Sequence, residues 1–259
     1  MATYSLIVVE GPHDVELVYR LLSPFGLKRV QLKATLESFW YDLIPTKFPH
    51  NDDLQKRMPV PVFMQNENHS IAIHSAVGDS RLAESVQESC ASLKSAEQLT
   101  GVGVVLDADS GKTAADRYTS FAAKLLELGY ALSENPGEVI GGSPQIGAFV
   151  LPDNNEQGTL EDILLECAGQ VYPELLTSAQ THVANAANVI PGLATKERKH
   201  FEKPAGSNKA TIGSIANILR PGKSVQVSVQ DNRWLRDAQL DIPRVKAIQE
   251  FLKTICGIE

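Results

Sequence analysis

The sequence predicts an α/β protein: a mainly parallel sheet flanked by helices, followed by a mostly helical C-terminal extension. Three observations carry that reading. Over residues 1–151, short apolar runs alternate with amphipathic stretches, the pattern of strands joined by crossover helices. Residues 101–106 are an apolar, valine-rich run, as in a strand covered on both faces. From residue 152 to 259 the apolar periodicity turns mainly helical.

Taken in order, residues 4–9 form a strand that stops at Glu10. Gly11-Pro12 then opens a helix, proline suiting a first helical turn, and Val15, Val18, Leu21 and Leu22 make its apolar face up to Pro24. Residues 30–32 are a candidate short strand. Periodicity fails over residues 36–68, where Pro45, Pro49, Pro59 and Pro61 recur, so an irregular insertion is expected there. Residues 70–76 read as a strand and 81–93 as a helix with Leu82, Val86 and Leu93 inward. The strand at 101–106 ends in Asp107-Ala108-Asp109. A helix with the stripe Ala114, Tyr118, Phe121, Ala122 and Leu125 follows, closed by Gly129. Residues 146–151 form a further strand, stopped by Pro152-Asp153-Asn154. Beyond it, helices are expected at 160–168, 173–187, 210–219 and 242–255, with a short strand at 225–229 and a basic polar stretch at 196–209. No internal repeat is present.

Composition narrows the function. The 259 residues are 43% apolar and 21% charged, enough for a buried core. No run approaches the ~20 apolar residues of a membrane span. The first apolar run, residues 6–9, is too short for an export signal, so a cytoplasmic location is expected. Cys90, Cys167 and Cys256 are odd in number and far apart, which fits buried thiols better than a disulfide framework or a zinc site. A net charge of −7 argues against coating nucleic acid by overall charge. It leaves open an enzyme that meets phosphate through a metal and a local basic patch.

The acids stand where that chemistry needs them. Glu10 follows one apolar strand, and Asp107 and Asp109 follow another. Carboxyl ends of parallel strands face the ligand crevice, so these three side chains converge if the strands are neighbours. Clustered carboxylates repel unless a cation lies between them, and an all-oxygen donor set suits Mg²⁺. Asp14 lies within reach on the first turn of the following helix. Asp14 and Asp109 also stand where an acid merely caps a helix or complements its dipole.

Glu10-Gly11-Pro12-His13-Asp14 and Leu106-Asp107-Ala108-Asp109 together resemble the paired E-G-x-x-D and D-x-D motifs of the Toprim superfamily. That group includes topoisomerases, primases, small ribonuclease-maturation enzymes and OLD-family nucleases. The resemblance covers about residues 3–151, with a longer than usual insertion. It implies acid/base or metal chemistry for Glu10 and Mg²⁺ binding by Asp107 and Asp109 during breakage or joining of phosphodiesters. The distal half resembles stand-alone Toprim proteins related to the OLD and RloB-like groups, on the residues from Leu151-Pro152-Asp153-Asn154 to Gly158-Thr159-Leu160-Glu161-Asp162 and on residues 234–237. This implies that Asp153, Glu161 or Asp162 adds ligands for a second cation, and that Lys209 corresponds to a lysine beyond the Toprim core.

Read on their own, residues 153–166 hold five acids and no lysine or arginine. Repulsion among them invites a cation, yet Thr159 with Asp162 three residues on also reads as a helix cap. Lys196, Arg198, Lys199, Lys203 and Lys209 against Glu197 and Glu202 form the main basic cluster. It fits a solvated face or phosphate contact, and Lys112 and Arg81 are comparable candidates. Gly111-Lys112-Thr113 lacks the glycine five positions earlier that a phosphate-cradling loop requires; Leu106 stands there. No Gly-x-Ser-x-Gly elbow occurs. Asp107-Ala108-Asp109 also opens like a haloacid-dehalogenase phosphatase, but Gly111 occupies the position where those enzymes carry Thr or Val. His69 and His74 read as packing residues.

The expected function is Mg²⁺-dependent phosphodiester hydrolysis on nucleic acid, DNA or RNA, with Mn²⁺ as a substitute. Glu10, Asp107, Asp109 and Glu161 are the candidate metal ligands, and Glu10, Asp14 and Lys209 the candidate catalytic groups. The alternative is a non-catalytic metal- or nucleotide-binding module that works within a complex with an ATPase or another protein. A small-molecule phosphatase ranks third. No tyrosine in the matching loops suits a covalent topoisomerase link, and a homodimer is left open.

Overall fold

The computed structural model describes residues 2–47, 54, 60–76, 78–108, 111 and 113–259. A seven-stranded sheet lies at its centre. Its strands are β1 (Thr3–Val9), β2 (Lys28–Arg29), β3 (Val62–Gln65), β4 (His69–Ser75), β5 (Leu99–Asp107), β6 (Val139–Ile140) and β7 (Gln145–Leu151), in the order β2-β3-β4-β1-β5-β7-β6. β4, β1, β5 and β7 run parallel. β3 pairs antiparallel with β4, β2 with β3, and β6 with β7. The helices are α1 (Pro12–Leu22), α2 (Leu82–Ser92), α3 (Ala114–Glu127), α4 (Leu160–Val171), α5 (Pro173–Ala187), α6 (Thr195–Arg198), α7 (Gly206–Leu219), α8 (Val225–Asp231) and α9 (Pro243–Cys256). Among the described residues, no helix is long and apolar enough to cross a membrane.

Two-residue alternation sorts the strand side chains onto two faces. Leu6 and Val8 of β1 share one apolar cluster with Val102, Val104 and Leu106 of β5 and Ile146, Ala148 and Val150 of β7. Leu82 and Val86 of α2 and Tyr118 and Phe121 of α3 cover it. Ile7, Val9, Ile71, Ile73, Val105, Phe149 and Leu151 belong to the other cluster, which is covered by α1 and by the helices that follow β7. Burying one such side chain contributes roughly 1.5–3 kcal/mol. Surface ion pairs contribute less than ~1 kcal/mol each, so burial fixes both layers.

Glycines decide how closely the last helix approaches. A Cβ on Gly101 would lie 1.9 Å from the Ile255 carbonyl oxygen, and one on Gly103 would lie 3.1 Å from Ile255 Cγ2. On β7, a Cβ at Gly147 would meet the Phe251 ring at 3.0 Å. α9 therefore lies directly on the backbone of β5 and β7.

Three sequence expectations change. Residues 225–229 are the start of helix α8, not a strand. Their alternating valines mimic a strand, but Val225, Ser228 and Val229 share one helical face against the core. Ser224 caps the helix. On its polar side Gln226 donates to Glu16 at 3.0 Å, and Gln230 accepts from Arg29 at 3.0 Å. Fully buried Glu16 also takes both Arg29 Nη2 bonds, at 2.9 Å each, and Arg29 lies over the Tyr19 ring. The strand expected at 30–32 is instead Lys28–Arg29. Only the Val30 N–H continues the ladder, to Phe63, before Leu32 turns outward. Within the expected insertion, Val62–Gln65 forms β3, with Phe63 and Met64 buried. Trp40 is also buried there and donates to Ser70 Oγ at 2.8 Å, which pins that segment to β4. β6 was not foreseen, since two residues carry no periodicity.

Two alanine substitutions separate these effects. Gly101→Ala forces the backbone of α9 away from β5 and is expected to lower stability by about 1–3 kcal/mol. Gly213→Ala, inside α7 with open space around the added carbon, is expected to raise it by roughly 0.5–1 kcal/mol. Urea midpoints of the two variants against the parent chain check both signs.

Candidate functional site

Parallel pairing places the ends of β1 and β5 side by side, with Val9 opposite Val105. The chain leaves β1 at Glu10, whose Oε1 accepts the Asp107 backbone N–H at 3.0 Å. Gly78 N–H donates to the Glu10 carbonyl at 3.0 Å and fixes the backbone there. α1 begins just after, and Asp14 Oδ2 accepts the Gly11 N–H at 2.8 Å. From across the rim, the Leu160 N–H at the start of α4 donates to Asp107 Oδ1 at 3.0 Å. Glu161, the next residue, accepts from Thr159 Oγ1 at 2.8 Å.

These groups line one cleft of about 310 Å³, together with His13, Gly78 and Lys209. Glu10, Asp14, Asp107, Glu161 and Lys209 thus line the same cleft. Asp109 and Lys112 lie outside the described residues. Burial, reinforced by Glu10 and Glu161, pushes the Asp14 carboxyl up to about 7. Burial, then Asp14, Glu10 and Glu161, push Asp107 well above the usual carboxylate range. Burial holds the His13 imidazole below its ordinary value, with Glu161 opposing and Lys209 adding to the shift.

The charge is only partly compensated. Arg117 Nη2 bonds Glu10 Oε1 at 3.2 Å, while its Nε donates to the Asp107 carbonyl at 3.1 Å. Sequence reading missed this buried arginine. The signal was present, because Arg117 shares the helical face of Ala114, Tyr118 and Phe121, where a charge needs a partner. Gly78 and His13 carried no comparable signal. The donor set is all oxygen and its members raise one another's pKa, which fits a hard divalent cation. Among the described residues, no three His, Cys, Asp or Glu side chains already stand as a metal cage. Each of Glu10, Asp14, Asp107 and Glu161 instead accepts a hydrogen bond from a protein donor.

Other candidates lie elsewhere. Asp153 pairs with Arg244 at 3.2 Å and accepts from Asn155 and Glu156 N–H groups, so the structure uses it in its own loop. Asp162, three residues after Thr159 at the α4 N-cap, accepts the Thr159 N–H at 2.8 Å and Asn208 Nδ2 at 2.8 Å. Arg81 pairs with Glu88 on the surface. His69 bonds Thr3 and His74 bonds Ser89, both at 2.8 Å. The three cysteines are buried free thiols.

Fold and site define an α/β protein with a carboxylate-lined cleft at the carboxyl rim of a largely parallel sheet. Residues 4–257 match the family DUF3226, described as a protein of unknown function, and the chain belongs to that family. Among solved structures, hypothetical protein PH0156 from Pyrococcus horikoshii OT3 is 17% identical, with a TM-score of 0.48 over 99% of this chain and 96% of that one. None of the curated proteins matches the chain.

The Asp14 shift gives a pH test. This carboxyl has an ordinary value of 3.8 and sits at about 7 when folded. The folded state therefore holds the extra proton between those values. Its stability contribution is complete below about pH 4 and is lost as pH rises through 7. Asp14→Asn keeps an acceptor for Gly11 and removes the charge. In urea melts the variant is expected to exceed the parent by roughly 4 kcal/mol at pH 8, the difference vanishing by pH 4.

Proposed function

We propose that this protein hydrolyses phosphodiester bonds in nucleic acid with Mg²⁺ as cofactor. The observation that carries the reading is the bond from Asp107 N–H to Glu10 Oε1, which joins two strand ends within a cleft that also holds Asp14 and Glu161. Toprim resemblance in the same two segments supports it. Glu10, Asp107 and Glu161 would hold the cation, with Asp109 supplying the second acid of the D-x-D motif. The metal supplies Lewis-acid stabilisation of phosphate charge and a more acidic bound water. Asp14 lies in the same cleft as a further carboxylate, placed to accept or return a proton. Lys209 offers positive charge to a phosphate at the cleft edge, and Arg117 keeps Glu10 oriented toward Asp107.

One observation favours a second reading, a non-catalytic metal- or nucleotide-binding module acting within a complex with an ATPase or another protein. Arg117 already bonds Glu10, as a cation would, and the acids are anchored by backbone donors. Two measurements separate the readings. Mg²⁺ or Mn²⁺ at millimolar concentration is expected to raise the melting temperature of the parent chain and not that of Asp107→Asn, which keeps an acceptor for Leu160. Incubation with plasmid DNA and with RNA is expected to give metal-dependent cutting, reduced at least ~100-fold in Asp107→Asn, the scale of one lost electrostatic group. Thermal stabilisation without cutting selects the binding module; equal cutting by both proteins removes the hydrolase.

A further inference from the structure

A second cavity of about 730 Å³ adjoins the acidic cleft, and Lys209 lines both. Its walls come from the segment leading into α4, with Gly158 and Thr159, and from the segment leading into α7, with Phe201, Lys203 and Asn208. The volume lies within the range of small-ligand sites, which is far too small for a double helix to enter. The two acids at this cavity are already engaged. Asp162 accepts from Thr159 N–H and from Asn208, and Glu197 accepts the Ala194 N–H at 3.1 Å. Neither Lys203 nor Lys209 has a carboxylate within ion-pair distance among the described residues.

Phe201 is the less expected wall. Its side chain is half-buried, yet it belongs to neither apolar cluster of the core. The backbone around it is tightly fixed, since a Cβ on Gly206 would lie 2.1 Å from the Phe201 carbonyl oxygen. Phe201, two lysines with no ion-pair partner among the described residues and the start of α7, which lacks a side-chain cap, therefore line one recess. A stacked base with a phosphate on each side satisfies that combination, because every base offers a π-face and the phosphates meet the lysines.

We infer that this cavity holds one unpaired nucleotide of a single-stranded nucleic acid, with its base against Phe201 and its phosphate passed by Lys209 to the acidic cleft. The inference deepens the hydrolase reading by naming its substrate class, and it rests on that reading only for what happens in the cleft. Single strands enter and blunt duplexes do not, since a paired base cannot reach the ring.

Fluorescence anisotropy in EDTA tests binding apart from metal and chemistry. Labelled oligodeoxynucleotide and oligoribonucleotide 8-mers, and a blunt duplex, are titrated with the parent chain and with Phe201→Ala, Phe201→Trp and Lys203→Ala. At least one single-strand class is expected to bind tenfold or more tightly than the duplex. Phe201→Ala is expected to weaken that binding at least fivefold, Phe201→Trp to retain it, and Lys203→Ala to weaken it and flatten its salt dependence. Melting curves identify any variant that fails to fold, and the Phe201→Trp result then decides. Undetectable binding, equal binding of duplex, or equal affinity of folded Phe201→Ala overturns the inference. Binding that follows Phe201 without any metal-dependent cutting leaves the nucleotide site standing and removes the hydrolase instead.

Discussion

The bond between the Asp107 backbone N–H and the Glu10 carboxylate is the constraint on which the rest of the cleft depends. It forms because β1 and β5 are parallel neighbours in register, so both chains leave the sheet at the same rim. Once these ends are tied, Asp14 on the first turn of α1 and the N-terminus of α4 are drawn to the same point. The result is a concentration of acid in a place where water is scarce. Protein donors meet part of that charge through Arg117 and several backbone N–H groups. The raised pKa of Asp14 and Asp107 reflects what those donors leave unbalanced.

The central strands were legible because their signal is local. Short apolar runs, each followed by a turn and an amphipathic helix, identify residues 4–9, 101–106 and 146–151 with little reference to the rest of the chain. Acids at the ends of two such runs identified Glu10 and Asp107 for the same reason. Glu161 and Lys209 depended on the resemblance as well, since each sits where a helix cap or a solvated face explains it equally. Residues 225–229 misled because valine at alternate positions suits a strand, while a helical face of Val225, Ser228 and Val229 is set by a core that sequence spacing does not display. Arg117 stands out as a charge on an apolar helical face, but its partner, Glu10, lies 107 residues away, beyond the reach of local spacing.

The helices that follow β7 are as much part of the core as those before it. Ile163, Leu164, Ile212, Ile215, Ile248 and Leu252 share one cluster with Ile7 and Val9 of the first strand. That arrangement also builds the cleft, because α4 delivers Leu160 and Glu161 to the rim and α7 delivers Lys209. The ion pair of fully buried Glu16 with partly exposed Arg29 serves the same layer from its edge, holding α8 against α1 through Gln226 and Gln230. Leaving the Glu16 charge alone there costs far more than a surface pair contributes.

The seating of α9 on the glycines of β5 sets a timetable for biosynthesis. Ser5 donates to the Ile255 carbonyl across 250 residues of chain, so β1 leaves the ribosome well before the helix it bonds. At translation rates of 5–20 residues per second that interval is about 10–50 s. Through it, one apolar face of the nascent sheet lacks its final cover, a period in which a chaperone has something to hold.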